Sequence, residues 1–405
     1  MRTAVRGRRA PSRPIRRGLA IIGFAIICSV RVGAAPFIPD RDEQVLEHIP
    51  TRLNATLLEL RALRVRLAQQ PSNLSLATQL ARGYIEIGRA ELDPRFFGYA
   101  QAALKPWWGL PSPPPEVLVL RAILKQHGHD FASALDDLEA LLQQNPRHAQ
   151  AWLTSAVILQ VQGDHRQALA HCASLIYLPG SYFLGTACLG KSLSLSGQAD
   201  KAYDLLRELL ASKPDAPERE RLWALTVLAE AAARLGWSKQ AELYFQQALS
   251  LGLRDGYLLM AFADFLLDED QPARVAKLLI KETRVDGLLL RLAIAEKRLG
   301  SSGDEHVASL KGRFAASRLR GDKVHLGDEA RFTLHLLDDP PTALKLALAN
   351  WEVQREPRDA RIVLEAALAA RDPAVAKPVL EMLNQSALED VRLAALAARL
   401  KPVRQ

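Results

Sequence analysis

Residues 149–179 read AQAWLTSAVILQVQGDHRQALAHCASLIYLP. Two apolar-periodic stretches flank the polar turn at Gly163, and Pro179 closes the unit where no helix can continue. The same punctuation recurs on both sides. Ala122, Ala156 and Gly190 are spaced by 34 residues, as are Ala134, Ala168 and Ala202, and Gly163 and Gly197 keep the interval. Pro146 and Pro214 are two periods apart, with Pro179 one residue off the midpoint. Stretches such as LVLRAILKQ and ALDDLEALLQQ repeat apolar residues at helical spacing. Small residues fall where two helices must approach closely. A fixed period of this length signals an array of helix pairs, each of which buries its apolar face only by stacking on its neighbours.

This pattern resembles the tetratricopeptide repeat, with its small residue at position 8, Gly near 15, Ala at 20, a bulky residue at 24 and Pro at 32. In that frame the quoted unit has Trp152, Ala156, Gly163 and Ala168, and residues 221–252 supply Ala229, Gly236, Ala241 and Phe245. LATQLARGYIEIG begins an earlier unit with Ala81, Tyr84 and Gly88. Residues 36–50, PFIPDRDEQVLEHIP, make the chain similar to secreted bacterial tetratricopeptide proteins with no assigned activity. The resemblance implies an all-α, right-handed α-solenoid of about eight to nine helix pairs. It says little of function: a non-enzymatic binding scaffold is the leading expectation, and an enzyme of unrecognised type is the weaker alternative.

The chain divides on this reading into a signal peptide (1–34), an extended arm plus first helix (35–72), repeats (73–287), a degenerate helix pair (288–322) and C-terminal repeats with a capping helix (323–405). An insert at 106–115 carries Trp107, Trp108 and a Pro-rich run. The composition, 49 % hydrophobic and 24 % charged with three cysteines, excludes a disordered chain and a disulfide-dense scaffold. The formal net charge of +8 would suit nucleic acid or an anionic membrane, but its location decides otherwise. Residues 1–34 hold eight arginines and no acid, which leaves 45 basic against 45 acidic side chains in the rest. The 13-residue run GLAIIGFAIICSV after Arg17 is short for a spanning helix, which needs about 17–25 residues. With Val32 and Ala34 as small residues, the leader reads as a signal peptide cut after Ala34, giving a periplasmic or secreted protein. A retained membrane anchor serving a transporter or biogenesis complex is the alternative, and a mitochondrial-type presequence stands behind both.

Gly185 to Ser192, GTACLGKS, matches the phosphate-loop pattern GxxxxGK[ST] letter for letter. That chemistry needs a strand-to-helix loop, whereas this segment reads as helix and its Gly190 already fills the small-residue position, so no nucleotide is expected. His127, His129, Asp130, Asp164 and His165 lie in successive turns; solvated turn residues are the expectation, with no metal or other cofactor. Cys172 and Cys188 are the two thiols left once the leader departs. A turn near Gly180 sets them at similar heights on antiparallel helices, as disulfide candidates or ordinary core residues. No catalytic set emerges, with neither GxSxG nor HExxH present.

The family's concave-face positions, carried over unit by unit, point to a groove for a protein or peptide, with no nucleic acid. The residues expected to touch the partner are Gln126, Gln160, Lys191, Trp223, Glu230, Arg234, Tyr257 and Asp264.

Overall fold

A computed structural model describes Arg41 and residues 51–301, 303–321 and 324–400. The expected leader, its expected cleavage site and, apart from Arg41, residues 35–50 of the expected arm lie outside the described residues. Contacts divide the chain into Met1–Asn54 and Ala55–Gln405, and the architecture below belongs to the second unit.

Helices follow one another along the described chain. After α1 (Thr51–Gln69) come α2 (Leu74–Glu91), α3 (Arg95–Ala103) and the one-turn α4 (Lys105–Trp108). The next pairs are α5 (Pro115–His127) with α6 (Phe131–Gln144), α7 (Ala149–Gln162) with α8 (His165–Ile176), and α9 (Tyr182–Ser194) with α10 (Ala199–Ser212). Then come α11 (Glu218–Arg234) with α12 (Ser238–Ser250), α13 (Gly256–Asp268) with α14 (Pro272–Leu279), and α15 (Asp286–Arg298) with α16 (Asp304–Leu319). Finally α17 (Leu326–His335) pairs with α18 (Pro340–Trp351), and α19 (Pro357–Ala369) with α20 (Lys377–Ser386), before α21 (Val391–Leu400). With α2 and α3 as the first, the described residues hold nine pairs, and no strand occurs among them. Each first helix packs on the first helix of the next pair, from α5 on α7 through α17 on α19.

The frame residues explain why the pairs stack. Ala122, Ala156, Ala229 and Ala263 in first helices, and Ala134, Ala168, Ala202 and Ala241 in second helices, are fully buried. Gly190 takes the same place in α9: a Cβ there would meet Leu206 at 2.7 Å. The turns are set by αL glycines such as Gly163 and Gly197 and by N-caps. Asp130 accepts from the Ser133 amide of α6 at 3.4 Å, and Asp164 accepts from the Gln167 amide of α8 at 3.0 Å. Leu222, Phe245, Phe262, Leu288, Phe314 and Phe332 run through one continuous core from α11 to α17. The degenerate segment 288–322, which fits the repeat frame poorly, still forms a helix pair, α15 with α16. Leu288, Leu290 and Leu292 are buried in α15, and Leu310 and Phe314 are buried in α16.

The Trp-Pro insert is pinned rather than looped out. Buried Arg121 donates to the carbonyls of Trp108 (2.7 Å) and Leu110 (2.9 Å) while holding Asp137 of α6 by two bonds of 2.6 and 2.8 Å. Trp107 and Trp108 are half-buried.

The superhelix is wound tightly enough to touch itself. Arg254, ahead of α13, donates to the carbonyl of Ala90 near the end of α2 at 2.6 Å. Farther along, the Arg355 amide donates to the carbonyl of Val161 at the end of α7 at 2.7 Å.

Candidate functional site

The consequence of that winding is that the ninth pair lies inside the groove made by the middle pairs. Between them remains a cavity of about 170 Å³, lined by residues of α9, α11, α13, α15, α17, α19 and the start of α21. Five expected groove residues reach it: Lys191, Glu230, Arg234, Tyr257 and Asp264. Facing them from α19 and the residue before it are Glu356, Arg358, Arg361 and Glu365.

The wall is a lattice of ion pairs. Asp264 accepts from Arg291 of α15 and Arg331 of α17, each at 2.6 Å. Burial opposes ionisation there, but the two guanidiniums hold its carboxyl far below the usual carboxylate range. Arg361 spans Asp268 (2.7 Å) and Glu365 (2.7 Å). His335 approaches Glu365 at 3.1 Å, and these partners outweigh its burial, pulling its carboxyl down to about 2. Glu356 sits between Arg358 (2.6 Å) and Lys191 (3.7 Å), and it stays ionised because these two charges outweigh its desolvation. Lys191 also lies 5.3 Å from the centre of the Tyr257 ring. Tyr257 donates its hydroxyl to Glu230 at 2.8 Å, and burial, then the negative charges of Glu230 and Glu356, raise its pKa well above the usual value.

Arg234 differs from the other guanidiniums of the wall. It donates to Ser194 Oγ at 2.6 Å where the others hold carboxylates, and its buried Nε, like that of Arg291, has no protein acceptor. Arg358 marks the open side, its side chain 47 % exposed. Such a lattice is suited to recognising charge of either sign. Asp264, Glu356 and Glu365 are held ionised by fixed cations, which makes these three poor proton donors.

The other three expected groove residues lie elsewhere. Gln160 is fully buried, and its Nε2 donates to Ser192 Oγ (2.7 Å) and the Cys188 carbonyl (3.3 Å) of α9. Its register turns it into the helix-to-helix seam, so the groove assignment is corrected. Trp223 is half-buried, packed on the apolar clusters around Phe183 and Cys172. Gln126 is half-buried at the end of α5, away from the cavity. Sequence reasoning missed the whole C-terminal half of the site. Glu356, Arg358 and Arg361 lie more than 90 residues from Asp264 and Asp268 in sequence or close to it, with no spacing rule connecting them; the only local signal was Pro357 opening a helix.

The thiols of Cys172 in α8 and Cys188 in α9 are joined as a disulfide with Cα atoms 5.4 Å apart, clipping the third pair to the fourth. The GTACLGKS segment is interior to α9. Lys191 there faces Glu356 instead of a loop, and a Cβ on Gly185 would meet the backbone nitrogen of Ile176 at 2.7 Å. His127 stacks on Phe97 at 3.6 Å between ring centroids, and His129 on Phe131 at 5.3 Å. Among the described residues, no group of three or more His, Cys, Asp or Glu side chains is arranged to hold a metal ion.

Stacked helix pairs interlocked by buried alanines, with first helices facing a common axis, define a tetratricopeptide-like α-solenoid. No protein-family model matches the chain, and no curated protein does. Similar solved structures include a tetratricopeptide repeat protein from Parabacteroides merdae, 16 % identical, with 64 % of this chain and 93 % of that one covered and a TM-score of 0.40. The hetero-tetramer Cut9–Hcn1 of the APC/C is 14 % identical over 85 % of this chain and 82 % of that one, TM-score 0.43. The human IFIT1 dimer with m7Gppp-AAAA is 14 % identical over 85 % and 88 %, TM-score 0.40.

Proposed function

We propose that this chain is a non-enzymatic scaffold that binds a protein or peptide partner in its central groove, acting as an assembly or accessory factor in the cell envelope. The observation that carries the reading is the cavity wall, where six first helices and α21 present arginines, carboxylates and a tyrosine around a common axis. Extended concave surfaces are what repeat arrays offer to partners, and mixed charge with an aromatic anchor suits a polypeptide segment. Export is supported by the Arg-rich leader and by the Cys172–Cys188 bond, since such bonds persist in oxidising compartments. N-terminal sequencing of the mature protein should begin at Ala35, and mass spectrometry without reductant should find no free thiol at either cysteine. A start at Met1 would instead support the anchored alternative.

Affinity capture from envelope extract tests the groove. Arg234→Gln is the informative control, because Arg234 has no carboxylate partner to strand, whereas Trp223 is a packing residue. A genuine groove partner is lost at least tenfold with Arg234→Gln and weakens with added salt. Equal capture by both chains would defeat the groove reading.

A further inference from the structure

Three successive turns along one edge of the solenoid are each covered by a residue from the C-terminal segment. A Cβ built on Gly163 would lie 3.4 Å from the Cβ of Arg355, one on Gly197 2.8 Å from that of Ala387, and one on Gly236 3.5 Å from Val391 Cγ1. All three glycines have φ between 72 and 79°, so each turn presents bare backbone to its visitor. Each turn also gives one hydrogen bond. Arg355 donates its amide to Val161 O (2.7 Å), Glu389 accepts the amide of Ala199 (2.6 Å), and Arg392 donates to Ala233 O (3.1 Å). Val161 O and the Ala199 amide are helix-end groups of the kind that otherwise face water, whereas Ala233 O also accepts from the Gly236 amide at 3.1 Å. At the next turn Arg392 pairs with Glu269 at 2.8 Å and reaches back to Asp268 at 3.1 Å.

We propose that residues 353–361 and 387–393 form a latch that occupies the groove from within and competes with the partner. The inference rests on the groove reading above and adds its regulation. Against the turns of α7, α10 and α11 the latch is held by polar bonds and small contacts, while its apolar packing, Leu393 included, lies on the C-terminal pairs that carry it, so the contact with the middle pairs is the part that opens below the cost of global unfolding. Opening it removes Glu356 from Lys191 and Arg361 from Asp268. The groove then offers a cation and an acid in the arrangement that Glu356 and Arg361 now satisfy. The matching partner is a polypeptide segment with a carboxylate followed, at the spacing of Glu356 and Arg361, by a guanidinium.

The test uses the full chain and a fluorescent peptide of residues 354–367, QREPRDARIVLEAA. In the Glu389→Gln/Arg392→Gln variant, the amide of Ala199 and its neighbours at 196–199 exchange at least tenfold faster. The same variant binds the peptide at least tenfold more tightly than the parent chain. A peptide carrying Arg358→Glu and Arg361→Glu does not bind. Arg392→Gln alone supplies the same readouts should the double variant lose its helical circular dichroism. Equal affinity of parent and variant for the peptide, including no binding to either, overturns the latch. Capture of a partner through Arg234 under those circumstances would leave the groove function standing, so the two failures are distinguishable.

Discussion

His127 and His129 show how a turn motif acquires its character from neighbours that the local sequence does not contain. Both are pulled down to about 4, first by burial and then by positive neighbours: His129, His325 and Arg89 for His127, and Arg358 and His325 for His129. In the unfolded chain a histidine titrates near about 6.5. Below that pH the unfolded state therefore binds more protons than the folded one, and stability falls as pH drops from 6.5 towards 4. Asp359 opposes this: burial raises its carboxyl to about 6, so its contribution is lost as pH rises through that value. His127→Phe keeps the stack on Phe97 and removes one histidine. Urea denaturation across pH 4 to 6.5 should show the variant's stability depending on pH less steeply, by up to about one proton's slope. Parallel curves would show that His127 is not a contributor. At this scale Asp130 and Asp164, read in the sequence as turn residues, do their work as helix caps, and Gln160 could not be assigned to groove or seam without the rotation of α7 being known.

Helices are the level at which the sequence was most legible, because burial of one face every 3.6 residues leaves a repeating mark. The same level removes the false signal at GTACLGKS. Its glycines serve close packing of α9, Gly185 against the backbone of Ile176 and Gly190 against Leu206. Alanine is the better helix former by about 1 kcal/mol, so propensity alone predicts that Gly185→Ala stabilises the protein. Close packing predicts the reverse, a loss of about 1–3 kcal/mol through forced separation of α8 and α9. The urea midpoint decides, and an increase would refute the packing account. The degenerate segment 288–322 teaches the complementary lesson. Its frame residues are poor, yet neighbouring pairs supply the apolar surfaces that α15 and α16 need, so tertiary burial overrides the weak local pattern.

Across the whole molecule, Asp268 is the residue through which α13 holds both α19 and α21, by way of Arg361 and Arg392. Its side chain is 11 % exposed, and burial raises its pKa despite the two guanidiniums. Asp268→Asn should cost about 2 kcal/mol by removing one of the two acids that hold each half-buried cation, Glu365 and Glu269 being left as the remaining partners. Hydrogen exchange should place that loss in the last helix pair and α21 and not uniformly; uniform loosening would deny Asp268 this joining role. The sequence by itself determined the all-α class, the stacking of pairs and the positions that must be small, because helical periodicity and turn chemistry act within a few residues. Only the tertiary structure decided that the groove is filled by the chain's own ninth pair. That outcome depends on superhelical pitch, the sum of small rotations at every stacked pair, and no spacing along the chain records where such a sum brings Arg355 back to Val161.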